Sequence, residues 1–157
     1  MFSKIAKIGA SLAAAGLGVV ATAGDAAAIN LNTHGAAFQP YNAGQANDID
    51  YVLTGVRTSA ASDRSVIASV VRSPVSGASQ SFYIDGTNAP GKTTYFTLSA
   101  YDYLGNFQSS TSPNSNAANY DITATLTTIS TFSYVSLLAT LPASYGGTVR
   151  GVTAVQP

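Results

Sequence analysis

The chain has 157 residues, of which 9% are charged, and its formal net charge at pH 7 is zero. This is the size of one domain, and such sparse, balanced charge excludes the clustered Lys and Arg that nucleic-acid binding requires. The absence of cysteine excludes disulfides, thiolate metal sites and a cysteine nucleophile. The remaining composition, rich in Ser, Thr, Asn and Tyr, is typical of an all-β domain.

Residues 1–28 have the pattern of a secretory signal peptide. Lys4 and Lys7 give a positive start, residues 8–21 form an apolar run, and two A-x-A sites follow at 21–23 and 26–28. The run has about 14 residues, fewer than the ~20 needed to cross a bilayer. With cleavage after residue 28 preferred, we expect a secreted or periplasmic mature chain that has no membrane span.

Residues 29–45, rich in Asn, Gly and Ala, are predicted to be an N-terminal arm, and residues 46–157 a β-domain. Runs rich in β-branched and aromatic residues recur through the domain, separated by turn residues. These runs are 49–57, 64–72, 80–85, 93–103, 120–129, 132–141 and 148–155. About seven or eight strands in a chain of this length predict a two-layer antiparallel β-sandwich, with a β-barrel as the alternative.

Asp48 and Asp50 are the best candidate carboxylate pair. If both lie on one strand, positions i and i+2 face the same way, roughly 6.5–7 Å apart, which is within the spacing of inverting glycosidases. The same pair is a candidate Ca²⁺ site. Ion pairing with nearby arginines is the structural alternative. His34 is the only histidine and lies in the arm, so a Ser-His-Asp triad is not expected.

Arg64 and Arg72 flank an apolar stretch of one predicted strand, 64–72, which is centred on Ala68. We expect them, together with Arg57, to reach out at the rims of the sheet. There they would form charge-assisted hydrogen bonds with aspartates and fix loops to the sheet. The candidate partners are Asp48, Asp50 and Asp63. An anionic-ligand site is the alternative interpretation.

Tyr95, Tyr101 and Tyr103 alternate with the apolar side of the predicted strand 93–103, so they are predicted to share the opposite face. An exposed aromatic stripe of this kind can stack against sugar rings. The polar stretch 108–119 is either a connection between sheets or a binding loop beside the stripe. The structural alternative is that the tyrosines pack across strands for stability alone.

Seven short segments, taken in order, make residues 38–156 resemble a group of small secreted bacterial proteins. The segments are 39–42 (QPYN), 48–51 (DIDY), 64–67 (RSVI), 70–74 (VVRSP), 82–86 (FYIDG), 136–142 (SLLATLP) and 150–153 (RGVT). The resemblance implies an exported β-domain and no particular activity.

One departure from this group concerns four positions where similar members usually carry Cys. Those positions are here Phe38, Ala68, Phe96 and Ala139. The resemblance therefore implies that two bridges are replaced by two apolar contacts, each a Phe beside an Ala. The order along the chain favours Phe38 with Ala68 and Phe96 with Ala139, and Phe38 with Ala139 stays open.

Together these features predict an exported protein with a non-enzymatic role. The first hypothesis is a structural or surface-assembly protein whose arm adds as a strand to the sheet edge of another copy. The alternative is a carbohydrate-binding or adhesin-like module that binds glycans through Tyr95, Tyr101 and Tyr103. A hydrolase that uses the Asp48 and Asp50 pair is a more distant alternative.

Overall fold

A computed structural model describes residues 30–72 and 79–155. These residues form two antiparallel sheets that enclose one apolar core, so the predicted two-layer antiparallel β-sandwich is confirmed. The predicted signal peptide, residues 1–28, lies outside the described residues. Within those ranges no helix has the length and apolar character needed to cross a membrane.

Twelve strands are present in the described ranges. They are β1 (Leu31–His34), β2 (Gln39–Pro40), β3 (Ile49–Val52), β4 (Gly55–Thr58), β5 (Arg64–Ser69), β6 (Gln80–Asn88), β7 (Thr94–Tyr101), β8 (Phe107–Thr111), β9 (Asn114–Ser115), β10 (Asn119–Leu126), β11 (Tyr134–Leu141) and β12 (Gly147–Ala154). Two 3-10 helices, Gly35–Ala37 and Ala43–Asp48, lie between β1 and β2 and between β2 and β3.

The strands divide between two six-stranded sheets. Sheet A has the order β10-β6-β12-β4-β3, and β1 also pairs with β12, beyond the short β4 contact. Sheet B has the order β2-β5-β11-β7-β8, and β9 pairs with the start of β7. Every strand pair is antiparallel, and β11 lies between β5 and β7 at the centre of sheet B.

Side chains from the inner faces of both sheets form one core, because alternate residues of each strand point inward. Its fully buried members include, from sheet A, Phe82, Ile84, Leu126, Val149 and Val152, and, from sheet B, Val66, Leu98, Leu137 and Leu141. Each side chain of this size contributes about 1.5–3 kcal/mol to the stability of the fold when fully buried.

Phe38 and Phe96, the two phenylalanines expected to lie beside an alanine, both belong to this core. Phe38 is 1% exposed and Phe96 is 2% exposed. Ala139 lies directly across from Phe96 on the neighbouring strand, and continuing the register of β2 and β5 places Phe38 opposite Ala68. Each large side chain therefore faces a small one, an arrangement that conserves the total core volume.

The segment predicted as a separate N-terminal arm is built into the sandwich. β1 pairs with β12, β2 pairs with β5, and Phe38 between them is in the core. The composition of residues 29–45 does not reveal this, because Gly35 is required for packing: a side chain there would collide with the backbone of Gly55 and Val149. The predicted boundary at residue 46 therefore separates elements that pack together.

Three predicted elements differ in the structure. The run 49–57 is the β3–β4 hairpin, because the backbone reverses before Gly55, whose φ of 150° favours glycine. The run predicted as 80–85 extends to Asn88 in β6, and Gly86 within it leaves room for the ring of Tyr120. The polar stretch 108–119 contains most of β8 and all of β9, both of which pair with β7.

Candidate functional site

An aromatic row crosses three strands on the outer face of sheet B. Tyr134 of β11 pairs with Tyr101 of β7, which in turn pairs with Phe107 of β8. The rings of Tyr101 and Phe107 meet edge to face, with their centroids 6.0 Å apart. All three side chains are exposed because the residues that alternate with them, such as Val135 and Ala100, point into the core.

A row of four serines lies beside the aromatic row. The register aligns one serine from each of four strands: Ser69 of β5, Ser136 of β11, Ser99 of β7 and Ser110 of β8. The two rows are two residues apart along β7 and β11, which corresponds to about 7 Å. Among the described residues, none of these four hydroxyls has a side-chain hydrogen-bond partner.

A cleft of about 380 Å³ opens at the end of the aromatic row. Tyr134 forms part of its wall, together with Phe132 from the turn before β11 and Tyr103 from the turn after β7. Phe132 and Tyr103 are both 69% exposed. The cleft thus brings together aromatic rings from two connections at the same end of sheet B.

A second hollow of about 390 Å³ continues from the cleft along β5 and β11. Ser69 lines both spaces, Ser136 forms part of the floor of the second, and Gln39 lies on its wall. Each space alone is within the range of small-molecule sites, roughly 300–1,000 Å³. We refer to these two spaces, which share Ser69, as the groove: aromatic side chains line the first space, and Ser69 and Ser136 line the second.

The turn that carries Phe132 is held from two sides. Arg72, just beyond β5, donates from Nε to Gln80 Oε1 (2.8 Å) and from Nη1 to the Ser133 carbonyl (2.8 Å). Gln108 of β8 accepts from the Ser130 amide (3.2 Å) and from the Ser133 hydroxyl. These contacts fix the turn against sheet B, so Phe132 is presented on a braced loop.

No protein-family model matches the sequence, and no curated protein matches it. Three solved structures resemble the fold at low similarity. A xylan-binding module, CBM15, has a TM-score of 0.49 and 16% identity, and the match covers 82% of this chain and 97% of that one. TmCBM61, solved with β-1,4-galactotriose, has a TM-score of 0.46 and 11% identity over 82% and 88% of the two chains.

The third is the enzymatically active domain of bacteriophage CBA120 tailspike protein 4, with a TM-score of 0.39 and 14% identity. That match covers 82% of this chain and 18% of the tailspike chain. All three TM-scores lie below 0.5.

The three tyrosines predicted as a binding stripe separate into two groups. Tyr101 and Tyr103 lie at the aromatic end of sheet B, although Tyr103 is beyond the end of β7, in the turn. Tyr95 lies near the other end of β7, opposite Thr140, about 20 Å from Tyr101 at the usual rise per residue. The structure therefore brings together two of the three predicted residues.

The predicted carboxylate pair is divided between two ion pairs. Asp48 ends a 3-10 helix and Asp50 is in β3, so the assumption that both lie on one strand is wrong. Arg64 Nε donates to Asp48 Oδ2 (2.6 Å), and Arg57 donates to Asp50 Oδ2 (2.7 Å). In residues 30–72 and 79–155 there is no group of three His, Cys, Asp or Glu arranged to hold a metal ion.

The predicted hydrogen bonds between arginines and aspartates at the rims of the sheet form at two of the three arginines. Arg64 and Arg57 bind aspartates, whereas Arg72 binds the side-chain oxygen of Gln80 and main-chain carbonyls. Asp63 does not bind an arginine through its carboxylate; it accepts a hydrogen bond from the Ala143 amide (2.9 Å).

Sequence reasoning missed two residues that form the cleft, Phe132 and Tyr134. The exposure of Tyr134 could have been predicted, because Tyr134 alternates with Val135 and Leu137 in the run 132–141 and so belongs on the outer face. Phe132 lies in a turn before the strand, and its proximity to Tyr103 depends on the pairing of β7 with β11.

Proposed function

We propose that this chain binds carbohydrate through the groove on the outer face of sheet B. The observation that carries the proposal is the aromatic row beside the serine row, continued by Phe132 and Tyr103 into the cleft. Monomeric proteins seldom expose contiguous apolar patches that have no binding role. The aromatic side chains concerned are Tyr101, Tyr103, Phe107, Phe132 and Tyr134.

The two rows match the two kinds of surface on a sugar ring. A pyranose presents C–H groups on its faces and hydroxyls around its edge. Aromatic rings offer large, rigid contact area to the first. The hydroxyls of Ser69 and Ser136, which have no side-chain hydrogen-bond partner among the described residues, offer donors and acceptors to the second. Their separation of about 7 Å along the strands is suited to one sugar residue spanning both rows.

Two observations favour this function over the other hypotheses. Strand addition by the N-terminal segment would require β1 and β2 to leave β12 and β5 and would remove Phe38 from the core. Hydrolysis by the aspartate pair would require Asp48 and Asp50 to leave their arginine partners, and neither residue lines the cleft.

Affinity electrophoresis through gels that contain soluble polysaccharides tests the proposal. The wild-type protein should be retarded by at least one polysaccharide in a panel of neutral and acidic chains. Tyr134→Ala and Phe132→Ala should each weaken this binding about tenfold, the usual effect of removing an aromatic anchor. Both residues are largely exposed, at 67% and 69%, so the unfolding midpoint should change little.

Tyr95→Ala is the matched control. Tyr95 is 54% exposed and lies on the same face of sheet B but outside the groove, so its removal should leave retardation unchanged. Failure of every polysaccharide to retard the wild type, or an equal loss in Tyr95→Ala and Tyr134→Ala, would overturn the proposal.

A further inference from the structure

The cleft contains one positive charge that no carboxylate in the described chain neutralises. Among the described residues that line the cleft, Arg72 is the only charged one. The ion pairs found in residues 30–72 and 79–155 involve Arg57 and Arg64, and neither includes Arg72. The adjoining segment 73–78 contains no acidic residue.

Arg72 is held by oxygen atoms that carry only partial charge. Its guanidinium donates to Gln80 Oε1, to the Ser133 carbonyl, and, at 3.4 Å each, to the carbonyls of Ser130 and Thr131. Burial lowers the pKa of Arg72, which reflects the cost of placing its charge in a partly dry site. Within the described residues, this cation is therefore held by neutral oxygen atoms and by no carboxylate.

The turn after β7 carries one acidic residue, Asp102, and its carboxylate is already hydrogen-bonded within that turn. Asp102 precedes Tyr103, and its carboxylate accepts hydrogen bonds from the amides of Leu104 and Asn106 and from the Asn106 side chain. These hydrogen bonds, first of all that from the Asn106 side chain, lower the pKa of Asp102. The Asp102 carboxylate therefore stabilises its own turn, and Asp102 does not line the cleft.

We infer that the glycan bound by this groove is acidic, with the carboxylate of a uronate-type sugar placed beside Arg72 while its ring contacts Phe132 and Tyr134. The inference rests on the proposed carbohydrate-binding function. A guanidinium forms charge-assisted hydrogen bonds with a carboxylate. Arg72 Nη1 gives one of its two N–H groups to the Ser133 carbonyl and keeps the other, and Phe132 and Arg72 line the same cleft. A neutral glycan would leave the charge of Arg72 without a counter-charge.

Pairs of polysaccharides that share a backbone and differ only in charge test the inference. Polygalacturonate is compared with its methyl ester, and glucuronoxylan with its carboxyl-reduced form. The wild-type protein should bind the acidic member of at least one pair about tenfold more tightly, the usual effect of a charge-assisted hydrogen bond. The preference should shrink in 1 M salt, where the Debye length is about 3 Å.

Variants at two arginines separate a specific contact from general attraction. Arg72→Gln should lose the preference for the acidic member, and Arg72→Lys should retain part of it because the positive charge remains. Arg150→Gln removes an exposed cation from sheet A, outside the cleft, and should not change it. Since Arg72 also braces the turn, each variant is compared at equal folded fraction by circular dichroism.

The outcomes distinguish this inference from the proposed function. Equal, salt-insensitive binding of both members of every pair that is bound, with loss of binding in Phe132→Ala, would overturn the acidic preference and leave carbohydrate binding intact. An equal loss in Arg150→Gln and Arg72→Gln would also overturn it, because the attraction would then be non-specific. If no polysaccharide binds, both proposals fail together.

Discussion

Replacing Phe96 and Ala139 by cysteines tests whether a disulfide between these two facing positions can replace their packing contact. Phe96 is buried and lies directly across from Ala139, and its ring meets the Tyr120 ring edge to face at 5.8 Å. Directly opposed residues of antiparallel strands have Cα atoms about 4.5–5.5 Å apart, which is within the range that a disulfide spans.

The magnitudes of the two contacts can be set against each other. Loss of a buried Phe ring costs about 3–5 kcal/mol, so the reduced double variant should be at least about 3 kcal/mol less stable than wild type. A bridge between positions 96 and 139 closes a loop of about 43 residues and should restore about 4 kcal/mol through the entropy of the unfolded chain. The oxidised variant should therefore come within about 1–2 kcal/mol of wild type.

Urea unfolding with and without reductant measures both differences, and a non-reducing gel with mass spectrometry establishes the bridge. The control is Phe38→Cys with Ala139→Cys. Phe38 directly precedes β2, and β5 lies between β2 and the β11 residue Ala139. Two strand spacings and an offset of two residues along the strands place the two positions roughly 12 Å apart. That pair should not bridge in the folded protein. A folded Phe96/Ala139 variant that stays reduced under oxidising conditions, or one as stable reduced as wild type, would refute the reasoning.

Three further predictions concern the rest of the sandwich. Burial, and next the charge of Asp121, raise the pKa of Asp85, so the folded state binds this proton more tightly than the unfolded chain. The stabilisation is complete below the unfolded pKa of about 3.9 and is lost as pH rises through the raised value. Asp85→Asn should therefore be more stable than wild type in urea at pH 7 but not at pH 3, and lower stability at pH 7 would contradict this. Gly86→Ala should lower stability by about 1–3 kcal/mol or more, because the added methyl would overlap the Tyr120 ring, and an unchanged urea midpoint would show that the ring moves freely. Because arginines engage the carboxylates of the predicted Ca²⁺ pair, millimolar Ca²⁺ should not raise the thermal midpoint, and calcium-dependent stabilisation would restore that site.

The strands that could be predicted are those whose patterning is local. The alternation of Phe96, Leu98 and Ala100 with polar or exposed residues in β7 follows from burial of one face, and the structure shows it. The predicted strand boundaries were wrong where one glycine determined the local backbone conformation or packing. The left-handed φ of Gly55 makes a hairpin from a run that reads as one strand, and the packing of Tyr120 over Gly86 extends β6 through a turn-like dipeptide.

The candidate site could be predicted only in part, because it is made by strand pairing. Tyr101 and Tyr103 are close in sequence, so one strand pattern places them near each other. Phe132 and Tyr134 join them only because β11 pairs with β7, and many residues separate these strands along the chain. A single sequence does not specify that β11 lies between β5 and β7, so the alignment of the four serines could not be predicted either.

The same contacts that stabilise this end of the sandwich would also order it for the proposed binding. The Ser130–Ser133 turn is held by Arg72 from the end of β5 and by Gln108 from β8, which lie on opposite sides of β11 and β7 in sheet B. A loop that is already ordered loses little conformational entropy when a ligand binds. Phe132 can therefore remain largely exposed and still be positioned. An aromatic ring held out to solvent on a braced turn, beside serine hydroxyls that have no side-chain partner among the described residues, contributes little to the fold itself, and the proposed ligand would account for this arrangement.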